Sequence, residues 1–183
     1  MIERVSLSQG GRVTSVDPAT NTIVTDFGNY TAQVANVIPP QQAGRIAGIA
    51  GAADNTGWCP IDPVTFASKL VPDIHVIGDA GFGGVIPKSA SAANAQGDAC
   101  AEAVTKLIAG KPPDRPRLVG ACYSTVATGN AFSQSGVYQA RDGLFAEVEG
   151  LVVSPIDATR EVRAREAEQA QSWYKTITAN AFG

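Results

Sequence analysis

The stretch Ile74-His75-Val76-Ile77-Gly78-Asp79-Ala80 constrains this chain more than any other. Its first half reads as a short apolar strand. That strand runs into Gly78-Asp79 and then into the glycine-rich loop Gly81-Phe82-Gly83-Gly84. Pro87-Lys88-Ser89 comes next, followed by a run of small residues that ends near Gly110. In open α/β sheets a buried strand, a carboxylate at its C-terminal end and the start of a following helix make a ligand-facing edge. Gly78 lets backbone come close to a ligand, and Asp79 can accept hydrogen bonds from a sugar or ribityl hydroxyl. The helix start offers free N–H groups and a partial positive charge to an electron-rich acceptor. The same Gly-Asp pair also fits a plain strand end with a solvated aspartate at a turn.

The whole chain bounds what can surround this stretch. With 183 residues, 44% of them hydrophobic, it can form one domain, or one with a small appendage, and bury a sizeable core. The net charge is −3 with no basic block, which argues against nucleic acid as a partner. No stretch is long and apolar enough to span a bilayer. Met1-Ile2-Glu3-Arg4 is not followed by an apolar h-region, so no secretory signal is expected in the chain as given. Cys59, Cys100 and Cys122 lie far apart beside a single histidine, so no structural zinc site is expected. An odd number of cysteines leaves at least one thiol free, or paired outside this chain.

In chain order, Arg12–Val16 and Thr22–Thr25 alternate as two strands around the turn Asp17–Asn21, and Gly28-Asn29 marks a second turn. Gln33–Ile38 reads as another strand, stopped by Pro39-Pro40. So small a β unit is expected to pair with a larger sheet. Gln41–Ala53 has helical spacing at Ile46 and Ile49. Trp58 and Cys59 fit either a site lining or a packed turn, with Cys59 a buried thiol by default. Ser89 is a candidate N-cap for a narrow, alanine-rich helix to Ile108, with Cys100 inside it and Gly110 at its C′ position. Ser135–Ala140 and Gly143–Val148 read as two strands joined at Arg141-Asp142-Gly143. Arg160–Ala181 reads as a helix with Val162, Ala167, Ala170, Trp173, Tyr174 and Ile177 near one face.

Several segments then converge in fixed order: Gly57-Trp58-Cys59, Ile74–Ala80, Ile86–Ala90, Ser91–Gln96, Ala121-Cys122-Tyr123-Ser124 and Ser172-Trp173-Tyr174 through Phe182-Gly183. Together they resemble the C-terminal part of the flavoprotein subunit of flavocytochrome c sulfide dehydrogenase, a disulfide-oxidoreductase-type flavoprotein. The resemblance runs from about Val34 to the end and is only loose over Met1–Gln33. It implies an α+β or α/β fold: the C-terminal part of a flavoprotein with two dinucleotide-binding domains, plus a small C-terminal α+β domain. Residues 1–38 would end the NAD-like domain. Residues 39–112 would be the C-terminal segment of the FAD-binding domain, and residues 113–183 would face flavin and cytochrome.

The same resemblance implies the roles. Gly78 and Asp79 would meet the ribityl chain of FAD, and Lys88, Ser89 and Ala90 would lie by the flavin pyrimidine ring. Cys122 would be half of a redox disulfide whose other half comes from the N-terminal half. Trp173 would lie near the flavin on the side facing the haem subunit. Sulfide would attack the disulfide, and electrons would pass to FAD and then singly to a cytochrome c subunit, in the periplasm. Taken without the resemblance, Lys88 also reads as a surface lysine and Cys122 as an inert buried thiol.

The chain also departs from that family. It has no G-x-G-x-x-G after an N-terminal strand and no second active-site cysteine in a matching place. It is therefore expected to be a C-terminal fragment that binds FAD weakly and does not turn over alone, with the missing half covering apolar surface. Two other readings stand beside this one. A sulfide:quinone reductase relative would need a membrane-binding amphipathic C-terminal helix, whereas the last helix here has a mixed-charge polar face. A non-catalytic module that binds a cytochrome or flavoprotein would not need Cys122.

Overall fold

The computed structural model describes residues 3–183; Met1 and Ile2, and the reading made of them, lie outside the described residues. The chain divides into two units, Met1–Gln42 and Ala43–Gly183.

The first unit is a one-turn helix α1 (Leu7–Gly10) and a three-stranded antiparallel sheet of β1 (Val13–Asp17), β2 (Thr22–Thr25) and β3 (Asn29–Thr31), in that order. The β1–β2 turn forms as expected. The Asp17 carboxylate accepts from the Ala19 N–H at 2.9 Å and the Thr20 hydroxyl at 2.8 Å, and Asn21 takes a positive φ of 51°. Two expectations are corrected here. Gln33–Ile38 is not a strand, because Tyr30, seven residues past Ile23, already pairs with it and closes the third strand. Val34 and Ile38 are left 88% and 78% exposed, with no apolar face to join. Among the described residues the unit also pairs with no larger sheet: its sheet order holds these three strands alone.

The second unit starts with α2 (Arg45–Ile49), which buries Ala47 and leaves Ile46 and Ile49 in solvent. The alanine stripe Ala43, Ala47 and Ala52 packs with fully buried Cys59. Next come a short parallel pair, β4 (Cys59–Pro60) with β5 (Gly81–Phe82), and the long helix α3 (Ala90–Ile108). A four-stranded antiparallel sheet follows: β6 (Arg117–Ala127), β7 (Asn130–Arg141), β8 (Leu144–Glu147) and β9 (Val152–Val153), the last pairing with β7. Helix α4 (Arg160–Phe182) completes the chain. The fold is thus mixed α and β. The main core is Ile61, Phe66, Cys100, Leu118, Tyr138 and Phe145.

The expected apolar strand that runs from Ile74 into Gly78-Asp79 is corrected. Ile74–Ile77 is extended, but it makes one antiparallel bridge, Ala67↔His75, with Ser68 N–H to Ile74 O at 2.8 Å and Val76 N–H to Phe66 O at 2.9 Å. Its partner is itself a turn, with Phe66 at φ 61°, so the ladder cannot extend. Gly78 at φ 67° then turns the chain into a single 3-10 turn, Gly78–Ala80, which carries Asp79.

Helix α3 forms as its sequence dictates. Ser89 caps it by accepting from the Ala92 N–H at 3.3 Å. One narrow stripe, Ala92, Gln96, Cys100 and Ala103, is buried. At the far end Gly110 N–H bonds Leu107 O and Lys111 N–H bonds Lys106 O, with Gly110 at φ 66°, which is a Schellman cap. The Asp142-Gly143 turn has positive φ at both residues and joins Arg141 to Leu144, the type I′ geometry that suits a two-residue hairpin. The long β6–β7 hairpin was not anticipated from its small polar residues. Its register runs from Arg117↔Gln139 to Ala127↔Asn130.

Helix α4 docks on β7 and the β9 segment through buried Glu166. Its Oε1 accepts from the Ser133 hydroxyl at 3.0 Å and from the Ser154 hydroxyl, while Oε2 is buried with no partner among the described residues.

Candidate functional site

Gly78 opens the site. Its N–H donates to Oε1 of Gln96, which is almost fully buried on α3, at 2.8 Å. A β-carbon at Gly78 would lie 3.3 Å from the Ala93 Cβ, so the turn sits directly on the alanine face of the helix. This contact holds Asp79 at the N-terminal end of α3 with an exposed carboxylate that makes no hydrogen bond among the described residues.

Lys88 closes the other side of the turn. Its ammonium donates to the carbonyl oxygens of Asp79 and of Gly81, the latter at 3.1 Å, and lies 3.8 Å from the centre of the Trp58 ring. Burial pushes its pKa down, opposed by the charges of Asp79 and Cys59. Lys88 is therefore neither a free surface lysine nor a free cation: it pins the loop to Trp58. Cys59 is a packed thiol, fully buried in β4.

The first turn of α3 supplies the donors. The Ala92 N–H goes to the Ser89 hydroxyl and the Ala93 N–H to the Ser89 carbonyl at 2.8 Å. The N–H groups of Ala90 and Ser91 remain for an outside acceptor. Ser89 thus spends its side chain on the helix. The Ser91 hydroxyl accepts from the Ala121 N–H at 3.2 Å and ties this turn to β6.

On β6, one residue further along, stands Cys122. It is exposed, whereas Cys59 and Cys100 are buried, and all three are free thiols. Burial pushes the Cys59 and Cys100 thiols up, which makes them poor nucleophiles. Cys122 borders a small cavity together with Pro87, Gly120, Gly136 and Tyr138. Pro87 directly precedes Lys88, so the cavity joins the cysteine to the loop at the start of α3.

The structure therefore brings Gly78, Asp79, Lys88, Ser89, Ala90 and Cys122 to one region. It does not bring Trp173 there. The Trp173 ring lies 6.4 Å from that of Tyr123, centre to centre. Neighbouring strand residues point to opposite faces, so Tyr123 and Trp173 lie across β6 from Cys122. Two functional residues were not singled out from the sequence: Gln96, which holds Gly78, and Tyr138, which walls the cavity. Gln96 was findable, since it interrupts the alanine stripe four residues from both Ala92 and Cys100.

This donor set can be tested against a ligand class. An exposed carboxylate suits the hydroxyls of a ribityl chain, and two helix-start N–H groups suit the electron-rich edge of a flavin ring. No glycine-rich fingerprint for a diphosphate occurs among these residues, so they fit the flavin end of FAD and not its ADP end. Residues 114–182, from just before β6 to the end of α4, match the family described as flavocytochrome c sulphide dehydrogenase, flavin-binding, a match consistent with FAD as a cofactor. The matched segment holds Cys122 and Trp173; Gly78–Ala90 precede it. No helix among the described residues is long and apolar enough to cross a membrane, and no group of side chains among them could hold a metal ion.

Proposed function

We propose that this chain is the flavin-facing C-terminal part of a sulfide-oxidising flavoprotein that passes electrons to a cytochrome c subunit in the periplasm. The observation that carries the reading is the exposed thiol of Cys122 next to Ala121, which the Ser91 hydroxyl ties to the start of α3, inside a segment that matches a flavin-binding family. When bound, FAD supplies a two-electron acceptor that can hand electrons on one at a time.

The chain's own residues would prepare that chemistry. Asp79 accepts from the ribityl hydroxyls. The Ala90 and Ser91 N–H groups and the helix dipole favour negative charge at the ring edge. Lys88 holds the Asp79–Gly81 turn in place. Cys122 is half of a disulfide whose other cysteine comes from outside these residues, in the N-terminal half of the polypeptide with the ADP-binding loop. Buried Cys59 and Cys100 make poor partners for it. Within this reading, residues 1–38 and 39–112 belong to the NAD-like and FAD-binding domains of a two-dinucleotide-domain enzyme. Exposed Ile77, Phe82 and Val85 beside the loop support a covering partner there. Trp173, across β6, would serve the cytochrome-facing side. The mixed charges of α4 speak for a protein electron acceptor over a membrane quinone.

The flavin-facing role of Asp79 has a direct test. Asp79→Ala removes a charged hydrogen-bond acceptor and is expected to weaken FAD binding by roughly 10-fold to 100-fold. Quenching of flavin fluorescence on titration with protein reads this. Unchanged affinity would remove Asp79 from the site.

A further inference from the structure

We propose that Trp58 is a positioning residue for the cofactor loop: its ring seats the Lys88 ammonium, which holds the Asp79–Gly81 turn in shape before any cofactor binds. The link to a cofactor rests on the flavin reading above.

The Trp58 ring stands on a turn that its own neighbours build. The Asp54 carboxylate accepts from the Thr56 N–H at 2.8 Å and from the Thr56 hydroxyl, and the Gly57 N–H bonds the Asp54 carbonyl at 3.0 Å. Gly57 takes φ 82°, a conformation that favours glycine, and the Asp54 N–H closes the turn on the Trp58 carbonyl at 2.9 Å. Trp58 then packs on the cluster of Ala43, Ala47, Ala52 and Cys59, and so does Ala80 from the cofactor loop. A fixed platform therefore stands beside the loop.

Lys88 connects the two. Its Nζ lies 3.8 Å from the Trp58 ring centre and donates to the carbonyl oxygens of Asp79 and Gly81. An ammonium has three N–H donors. Two are spent on the turn, and the positive charge faces the ring. Lys88 therefore acts on the turn that carries Asp79, which sets it apart from a lysine that neutralises charge on a bound cofactor. Residue 58 has to be aromatic, because an aliphatic side chain gives the ammonium nothing in return for the water it displaces. Two amides report the order of the turn: the Gly78 N–H bonds Gln96 Oε1 at 2.8 Å, and the Gly81 N–H bonds the Gly78 carbonyl.

Amide hydrogen exchange at Gly78 and Gly81, followed by NMR in the 183-residue chain without cofactor, tests the assignment. Trp58→Leu and Lys88→Met are each expected to speed exchange at these two amides about tenfold, and to change the α3 amides from Cys100 to Val104 less than about twofold. Trp58→Phe keeps a ring and is expected to stay within about threefold of the original chain. The double variant is expected to exchange no faster than either single one, because both remove the same contact. Unchanged exchange in Trp58→Leu or Lys88→Met, an equal loss in Trp58→Phe, effects that multiply in the double variant, or a loss that extends through α3 overturns the assignment. In the FAD titration, Trp58→Leu is expected to weaken binding about tenfold in the chain that carries Asp79 and less than about twofold in Asp79→Ala. Equal weakening in both also overturns it. The exchange measurement uses no flavin, so its failure is distinct from failure of the flavin reading, which the Asp79→Ala titration tests.

Discussion

Under the proposed function, replacing Cys122 by serine is expected to abolish flavin reduction by sulfide in the complete FAD-loaded protein, a loss of at least about a thousandfold. The size follows from chemistry. A serine hydroxyl cannot form the disulfide that sulfide would attack in this proposal, so the covalent route would be removed, not slowed. The fold is expected to survive, because Cys122 is exposed on β6 and belongs to neither core cluster. Its backbone pairs with Gln134 whatever side chain it carries. Anaerobic bleaching of the flavin band after mixing with sulfide, with far-UV circular dichroism as the fold control, separates the two effects. A folded Cys122→Ser protein that still reduces its flavin would favour a non-catalytic, cytochrome-binding role.

Phe145→Ala has the largest expected effect on stability, about 3–5 kcal/mol. The Phe145 side chain is 1% exposed in the main core, and its ring packs on that of Phe66 with centroids 5.9 Å apart. A β-carbon on Gly83 would lie 3.0 Å from the Phe145 ring, and Gly84 bridges its backbone. The Gly81–Pro87 loop thus rests on this residue, and the lining of the site is expected to loosen with it. A loss of this size is a large share of the total stability of an ordinary domain. Phe27→Ala, at a side chain 72% exposed, is expected to change stability by less than about 0.5 kcal/mol. Urea unfolding of both variants checks the contrast; a Phe145→Ala loss below about 1 kcal/mol would contradict the assignment of the core.

Local chemistry made some elements readable before any coordinates. Ser89, the alanine run and Gly110 mark α3 from cap to cap, and Asp142-Gly143 marks its hairpin turn, because each is decided by neighbours in sequence. Ile74–Ile77 misled for the opposite reason. Its apolar residues suit a strand, but strand pairing depends on a distant partner, and Phe66–Ser68 offers one bridge only. β6 was hidden because glycine, alanine, serine and threonine alternate without a polar-apolar contrast, and much of the strand is exposed on both faces.

The site divides along the same line. Gly78, Asp79 and Ser89 were legible as a turn and a helix start. A lone cysteine such as Cys122 reads as a buried thiol, and only the family resemblance pointed to a redox role. The position of Trp173 across β6 follows from the hairpin register and from the Glu166 bonds to Ser133 and Ser154, none of which leaves a local mark. Tyr138 was missed because a tyrosine in a strand reads as ordinary core.

The account centres on Cys122 as a redox cysteine in a flavin-bearing protein. Peptide mapping of the complete FAD-loaded protein, with the N-terminal half that would carry the partner cysteine, under non-reducing conditions before and after one equivalent of sulfide tests it most directly. The account predicts Cys122 in a disulfide beforehand and as a persulfide or thiol afterwards, with Cys59 and Cys100 thiols throughout. Cys122 recovered as an unmodified thiol in both samples would contradict it.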